Sequence, residues 1–214
     1  VLISSQNNDD TIKYLSKIAN ELSSPLYISN KITQDVSNLN SPTYQLFNIE
    51  LVKSAKTILS KIGYKSSSKQ SKKIIESYYN KTSFLGRWSK INDKPLIICD
   101  IAHNFQGLKS VFLQLKKEKR KKHIILGFSA DKNLNEIFKI INLDATYYFC
   151  SSTNQRVLEP ENYISLINSL NRKYFIFNNS VDVVRSITEK ISKDDMIFVT
   201  GSTFIVADVL SIFR

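Results

Sequence analysis

Apolar and polar positions follow two different periods along the chain, and the change of period divides it. In the first third the apolar positions recur at helical spacing. Ile12, Leu15, Ile18, Ala19 and Leu22 form one stripe, entered through an Asn/Asp cluster (Asn7, Asn8, Asp9, Asp10) suited to cap a helix and left through Ser23-Ser24-Pro25. Leu51, Val52, Ala55, Ile58, Leu59 and Ile62 form a second stripe, which predicts a helix from about Gln45 to Ile62 with Gly63 as its stop. Val1 to Ser4 and Leu26 to Ile28 read as short strands, and Ser29 to Thr43 as polar connection. Ser66-Ser67-Ser68 reads as a boundary and Ser71 to Tyr79 as a shorter helix.

From Trp88 onward, short β-rich runs alternate with amphipathic helices. The predicted strands are Leu96 to Asp100, His123 to Phe128, Thr146 to Cys150, Tyr174 to Phe177 and Met196 to Thr200, with Trp88 to Asn92 as an antiparallel edge. Between them lie helical stripes such as Leu108, Val111, Phe112, Leu115 and Val184, Ile187, Ile191. This order predicts a three-layer α/β domain on a mostly parallel sheet built from βαβ units.

At 214 residues the chain is long enough for a sizeable core. The composition, 42% hydrophobic and 23% charged with five Gly and four Pro, is that of a folded protein. No apolar run approaches the ~20 residues that cross a bilayer, so no membrane role is expected. The opening Val1-Leu2-Ile3-Ser4-Ser5 has no initiator Met and no secretory features, so the chain reads as a piece of something longer in a cytoplasmic protein. Cys99 and Cys150 each end an apolar run and match no metal spacing, which predicts buried, reduced thiols. The formal net charge of +11 raises the possibility of a polyanionic partner. The dense run Lys116 to Lys122, between a helix and a strand, reads as a solvated loop. The aromatics (Tyr147, Tyr148, Phe149, Phe175, Phe177) interleave with strand residues, as in a core rather than a base-stacking platform.

In an open α/β sheet ligands bind beyond the carboxyl ends of the strands, so strand ends carry the chemistry. The run Leu96-Ile97-Ile98-Cys99-Asp100-Ile101-Ala102-His103-Asn104 passes from strand into Asp, His and Asn ahead of a helix starting near Gln106 or Gly107. Asp100 there can accept hydrogen bonds from ribose hydroxyls, and His103 with the helix N–H groups can meet an anion. The same residues also suit a helix cap with a satisfied loop histidine, and the residues alone leave both readings open. Gly86-Arg87-Trp88 offers a guanidinium fork for phosphate, or a surface Arg beside a packing Trp. In Gly127 to Asn133, Lys132 can face a phosphate or carboxylate while Asp131 caps the helix and orients it. Thr200-Gly201-Ser202 ends the last strand similarly, and His123 reads as a solvated edge residue. No phosphate loop, G-x-G-x-x-G, HExxH or zinc-type cysteine pattern occurs.

In this order the motifs resemble the folylpolyglutamate synthase/dihydrofolate synthase family of the Mur-ligase superfamily. Leu85-Gly86-Arg87-Trp88 is similar to its P-G-R-W step, Asp100-Ile101-Ala102-His103-Asn104 to its D-G-A-H-N, and Gly127 to Asn133 to its G-x-x-x-D-K-D. Thr200-Gly201-Ser202 is similar to its terminal T-G-S, and Gln45 to Asn48 to its H-Q-x-x-N. The resemblance implies an ATP-dependent ligase that phosphorylates a carboxylate of dihydropteroate or a folate and joins it to L-glutamate. It implies that residues 1–83 finish a P-loop-type ATP-binding domain and that residues 84–214 form a Rossmann-like glutamate ligase domain. Carried onto this chain, Arg87 would contact the nucleotide phosphates, Asp100 the ribose, and His103 with Asn104 the phosphate or glutamate side. Asn48 and Gln45 would lie near adenine, His103 and Lys132 would act in catalysis, and Ser202 would shape the substrate pocket. The phosphate loop and the Mg²⁺ ligands would sit in an N-terminal part absent from this chain, which alone should be inactive, and the whole protein would act as a monomer. Ile101 stands where the family has Gly, so a positive φ there would be costly, and Leu85 stands where it has Pro, which should loosen the hinge. Two other readings compete: a Mur-type ligase acting on cell-wall precursors, and a basic nucleic-acid-binding module.

Overall fold

The computed structural model describes residues 1–5, 7–32, 42–65 and 85–213. The expected boundary at Ser66 to Ser68, the helix Ser71 to Tyr79 and most of the polar connection after Ser29 lie outside the described residues. The chain forms two compact units, 1–83 and 84–214.

In the first unit β1 (Leu2–Ile3) pairs in parallel with β2 (Tyr27–Ile28). Between them α1 (Asp9–Glu21) starts at Asn8, whose side chain accepts the Thr11 N–H, so the polar cluster caps as the sequence predicts. Helix α2 (Thr43–Lys61) ends where Gly63 takes φ +96°. Its apolar stripe is not fully buried anywhere.

The second unit is an α/β layered domain on a six-stranded sheet of order β3-β4-β8-β5-β6-β7. The strands are β3 (Ser89–Asp93), β4 (Leu96–Cys99), β5 (Lys122–Leu126), β6 (Thr146–Cys150), β7 (Tyr174–Phe177) and β8 (Met196–Thr200). All neighbours are parallel except β3, an antiparallel edge on β4. The intervening helices are α3 (Phe105–Leu115), α4 (Leu134–Phe138), α5 (Ile164–Ser169), α6 (Ser180–Thr188) and α7 (Thr203–Ser211).

Successive strand side chains point to opposite faces, so each strand feeds two cores. Ile97, Cys99, Ile125, Tyr148, Ile197 and Val199 pack with Val183, Val184 and Ile187 of α6 and Ile205, Val206 and Val209 of α7. The alternate residues meet a different, aromatic layer. Phe149 stacks on Phe138 of α4 at 5.9 Å, and Phe128 lies 5.7 Å from Tyr163. Cys99 and Cys150 are buried free thiols, as expected, and burial pushes both well above the ordinary thiol range. Among the described residues no helix is long and apolar enough to cross a membrane.

The fold corrects two readings. His123 is not a solvated edge residue: it is 4% exposed, with Nδ1 3.0 Å from the Tyr148 hydroxyl and Nε2 3.0 Å from Asp195 Oδ2. It is the second residue of β5, and the flanking strands bring Tyr148 of β6 and Asp195, just before β8, against its ring. Asp131 does not cap α4; Asn133 does, accepting the Glu136 N–H.

Candidate functional site

The strand order creates one place where the chain turns both ways. Strand β4 continues into α3 and then β5, while β8, inserted between β4 and β5, continues into α7. Loops leaving adjacent β4 and β8 therefore diverge, and such a divergence opens a crevice at the carboxyl ends of the strands. Because β3 runs antiparallel to β4, with Ser89 opposite Cys99, the Gly86-Arg87-Trp88 segment enters at this same edge.

A lattice of backbone hydrogen bonds joins these segments. Gly86 takes φ +96°, its carbonyl accepts the Ile101 N–H at 2.7 Å, and its own N–H donates to Ser89 Oγ at 2.9 Å. A Cβ at Gly86 would come 2.7 Å from Ile101 Cγ2, so the small residue makes room for the large one. Ile101 carries no positive φ; the left-handed backbone falls on Trp88, at +53°. That strained residue is held by its N–H, which donates to Asp100 Oδ2 at 2.9 Å, and by its ring, 5.2 Å from Phe198.

Asp100 is 2% exposed. Its other oxygen, Oδ1, accepts the Ala102 N–H at 2.9 Å, so one carboxylate fixes the turn before β3 and the loop after β4 together. Ala102 in turn accepts hydrogen bonds from the Gly201 N–H at 3.0 Å and Thr200 Oγ1 at 3.1 Å, which brings in the loop after β8. Gly201, at φ +96°, packs so closely on β5 that a Cβ would stand 2.6 Å from the Gly127 carbonyl.

The side chains expected to act are set on this lattice. Arg87 is half-buried and lies between the two residues bonded to the Asp100 loop. His103 Nδ1 lies 2.9 Å from the Ile101 carbonyl, so the proton sits on Nδ1 and the half-buried ring keeps Nε2 for a ligand. Asn104 caps α3 by accepting the Gly107 N–H at 2.8 Å. Lys132 Nζ meets Asp131 Oδ2 at 2.5 Å. That hydrogen bond is the main reason the Asp131 carboxyl lies below the usual range; a smaller contribution from His103 puts the loops after β4 and β5 within electrostatic reach. Ser202 is 1% exposed and caps α7 through the Phe204 N–H, so it shapes the turn with its hydroxyl already engaged. Gln45 and Asn48 belong to the other unit, where Asn48 Nδ2 donates to Gln45 Oε1 at 2.7 Å on one face of α2.

One residue escaped the sequence reading. The loop after β6 folds back to pair Val157 with Ser129, and the Arg156 carbonyl accepts the Ala130 N–H at 3.2 Å. This puts exposed Arg156 beside the Lys132 loop. Arg156 has no motif around it; its only signal is a cation in the polar stretch that follows a predicted strand.

Residues 86–203, more than half of the chain, match the Mur ligase, glutamate ligase domain family. The chain belongs to the Mur ligase family. Among curated relatives, a dihydrofolate synthase/folylpolyglutamate synthase of Buchnera aphidicola subsp. Schizaphis graminum is 27% identical over 144 residues, 65% of this chain and 34% of the relative. The chain thus spans about a third of that relative's length. Folylpolyglutamate synthase of Mycobacterium tuberculosis, solved with ADP and AMPPCP, shares the fold at TM-score 0.79 and 13% identity over 99% of this chain and 54% of its own. A bifunctional folylpolyglutamate synthase/dihydrofolate synthase of Yersinia pestis, solved with AMPPNP and a manganese ion, matches at TM-score 0.69 and 17% identity over 94% and 50%.

Proposed function

We propose that the full-length protein containing this chain is an ATP-dependent carbon–nitrogen ligase that adds L-glutamate to dihydropteroate or a folate, with residues 84–214 as its glutamate ligase domain. Residues 1–83 finish the domain that carries the phosphate loop. The observation that carries the reading is the joining of the Gly86–Trp88 turn to the Asp100–Asn104 loop at the divergence of β4 and β8, in a chain of this family.

In this reading the γ-phosphoryl group of ATP moves to a substrate carboxylate oxygen with release of ADP. The glutamate amine then attacks the acyl carbon, and phosphate leaves. Charge spreads over the phosphoryl oxygens during transfer, and a preorganised cation is the group that meets it. Arg87 is that group: its backbone is pinned on both sides, so little ordering remains when its fork takes two oxygens. His103 Nε2 faces the same anion or the incoming glutamate, and Asn104 holds the helix start whose N–H groups favour negative charge. Asp100, whose two oxygens accept the Trp88 and Ala102 N–H groups, is the carboxylate a ribose hydroxyl would meet in this reading. Lys132 and Arg156 supply cations for a carboxylate at the same edge.

The described residues do not suit a metal. Among them no group of three His, Cys, Asp or Glu side chains is placed to hold one, Asp131 is engaged with Lys132, and Asp100 with backbone N–H groups. No step here runs through Mg²⁺. A cytoplasmic setting, where ATP is supplied and thiols stay reduced, suits the free cysteines.

The test is nucleotide affinity of the intact protein. Arg87→Ala should weaken ADP binding at least tenfold, about 1.4 kcal/mol, while leaving the unfolding midpoint unchanged. Unaltered ADP affinity would overturn the reading. Turnover of dihydropteroate against a UDP-linked acid then separates folate chemistry from cell-wall chemistry.

A further inference from the structure

The six-stranded sheet has a second edge, and its chemistry is unlike that of the first. At the amino ends of β5, β6 and β7, segments 119–122, 144–146 and 171–173 line a cleft of about 560 Å³. Lys119, Arg120, Lys121, Lys122, Arg172 and Lys173 all belong to it, against one lining carboxylate, Asp144. In sequence the two groups of cations stand some fifty positions apart. Parallel pairing of β5 with β6 and β6 with β7 brings them together.

The cleft is built, not merely decorated with lysines. Glu118, 6% exposed, accepts the Arg120 backbone N–H at 3.0 Å on Oε1 and the guanidinium at 2.8 Å on Oε2. Lys122 Nζ donates to the carbonyls of Glu118 and Arg120 at 2.9 and 3.1 Å, which knots the turn. Arg172 Nε donates to Asn142 Oδ1 at 2.8 Å, with Asp144 Oδ1 3.9 Å away. Three cations are thus fixed by neighbours. The exposed ammonium groups of Lys119 and Lys121 make no ion pair or side-chain hydrogen bond among the described residues. Gathering so many like charges at one rim costs energy through mutual repulsion, and a multivalent anion is the ligand that reverses the sign of that term.

We propose that this cleft binds a compact oligophosphate, a short linear chain of phosphoryl groups, at the edge opposite the nucleotide loops. Two guanidinium forks with fixed partners match phosphate oxygens bidentately, and mobile lysines adjust to the rest. The volume lies within the range of small-ligand pockets. A nucleic acid strand would also want an open aromatic surface, whereas Phe175, though 42% exposed, stacks on Tyr148 at 5.5 Å and has Lys173 Nζ over it at 5.4 Å.

The experiment is calorimetric titration of the full-length protein with inorganic tripolyphosphate, in metal-free buffer and saturating ADP so that the nucleotide edge is already occupied. Saturable binding is expected, weakened at least tenfold in Lys121→Glu/Arg172→Glu and less than twofold in Lys13→Glu/Lys65→Glu, which makes the same change of net charge on exposed residues of the first unit. Lys121→Gln/Lys173→Gln gives a milder pair in case the double reversal fails to fold, with a threefold or greater loss expected. Four results would overturn the proposal: no binding by the unaltered protein, equal weakening in both charge-reversed pairs, binding abolished by ADP, or binding of a single-stranded RNA decamer without binding of tripolyphosphate.

Discussion

The two ends of the sheet in the second unit are held together by different means. At the carboxyl edge the loops after β4 and β8 and the turn before β3 are knitted through main-chain groups, with Gly86, Gly201 and the Asp100 carboxylate as the couplings. At the amino edge the work is done by side chains. His123 bridges Tyr148 and Asp195, and the Tyr147 hydroxyl donates to the Ile141 carbonyl and accepts the Leu143 N–H at 2.8 Å. The contrast follows from the residues at each edge. Glycines at positive φ and a buried carboxylate let main-chain groups approach and pair at the carboxyl edge, whereas at the amino edge buried His123 and Tyr147 carry polar atoms that must find partners.

Substitutions sharpen or break this contrast, beginning with the most severe. Gly201→Ala places a Cβ against the Gly127 carbonyl at a positive φ, combining overpacking with a left-handed backbone. A loss of about 4 kcal/mol in urea unfolding is expected, together with weakened ADP binding. His123→Leu leaves the Asp195 carboxylate buried without its imidazole, and a loss of about 3 kcal/mol is expected with ADP affinity intact. If ADP binding fell equally in both, the two edges would not be independent and the contrast would collapse.

Asp100→Asn comes next. An amide cannot accept from both the Trp88 and Ala102 N–H groups on separate oxygens, so about 2 kcal/mol is lost, and Arg87 loses its fixed backbone. The measurement is ADP affinity beside the unfolding midpoint: both should drop, whereas Arg87→Ala should lower affinity alone. Tyr147→Phe is mildest, about 1 kcal/mol at neutral pH. Burial pushes the Tyr147 phenol up to about 12 from its ordinary 10. A raised pKa means that the folded state favours the protonated phenol, so this contribution is whole below pH 10 and is lost as pH rises through 12. Unfolding midpoints measured from pH 9 to 12 should therefore fall less steeply in Tyr147→Phe; an unchanged slope would show that the phenol is not buried.

The expected strands matter here because they put the motifs of the second unit at strand ends, while Gln45 and Asn48 lie on helix α2. Trp88 to Asn92 was expected as an antiparallel edge, and β3 pairs so; Asn8 and Asn104 cap helices as their polar positions suggest. Periodicity and capping are local effects, and a single sequence carries them in full. Other readings failed because they depended on contacts across the sheet. His123 looks like an exposed residue until β8 is inserted beside β5. Asp131 looks like a cap until Asn133 is seen to hold the helix N–H. Arg156 belongs to no motif, because its place beside the Lys132 loop comes from a loop folded back onto its neighbour.

The order of apolar and polar residues by itself determined the alternation of strand and helix and the family motifs at strand ends, since each rests on interactions within a few positions or on residue type. Only the tertiary structure decided what Asp100 holds, why Ile101 is accommodated, and that Lys121 and Arg172 share one cleft. Those facts depend on strand order, and strand order is set by the burial of two faces at once, a sum over the whole domain that no local stretch contains.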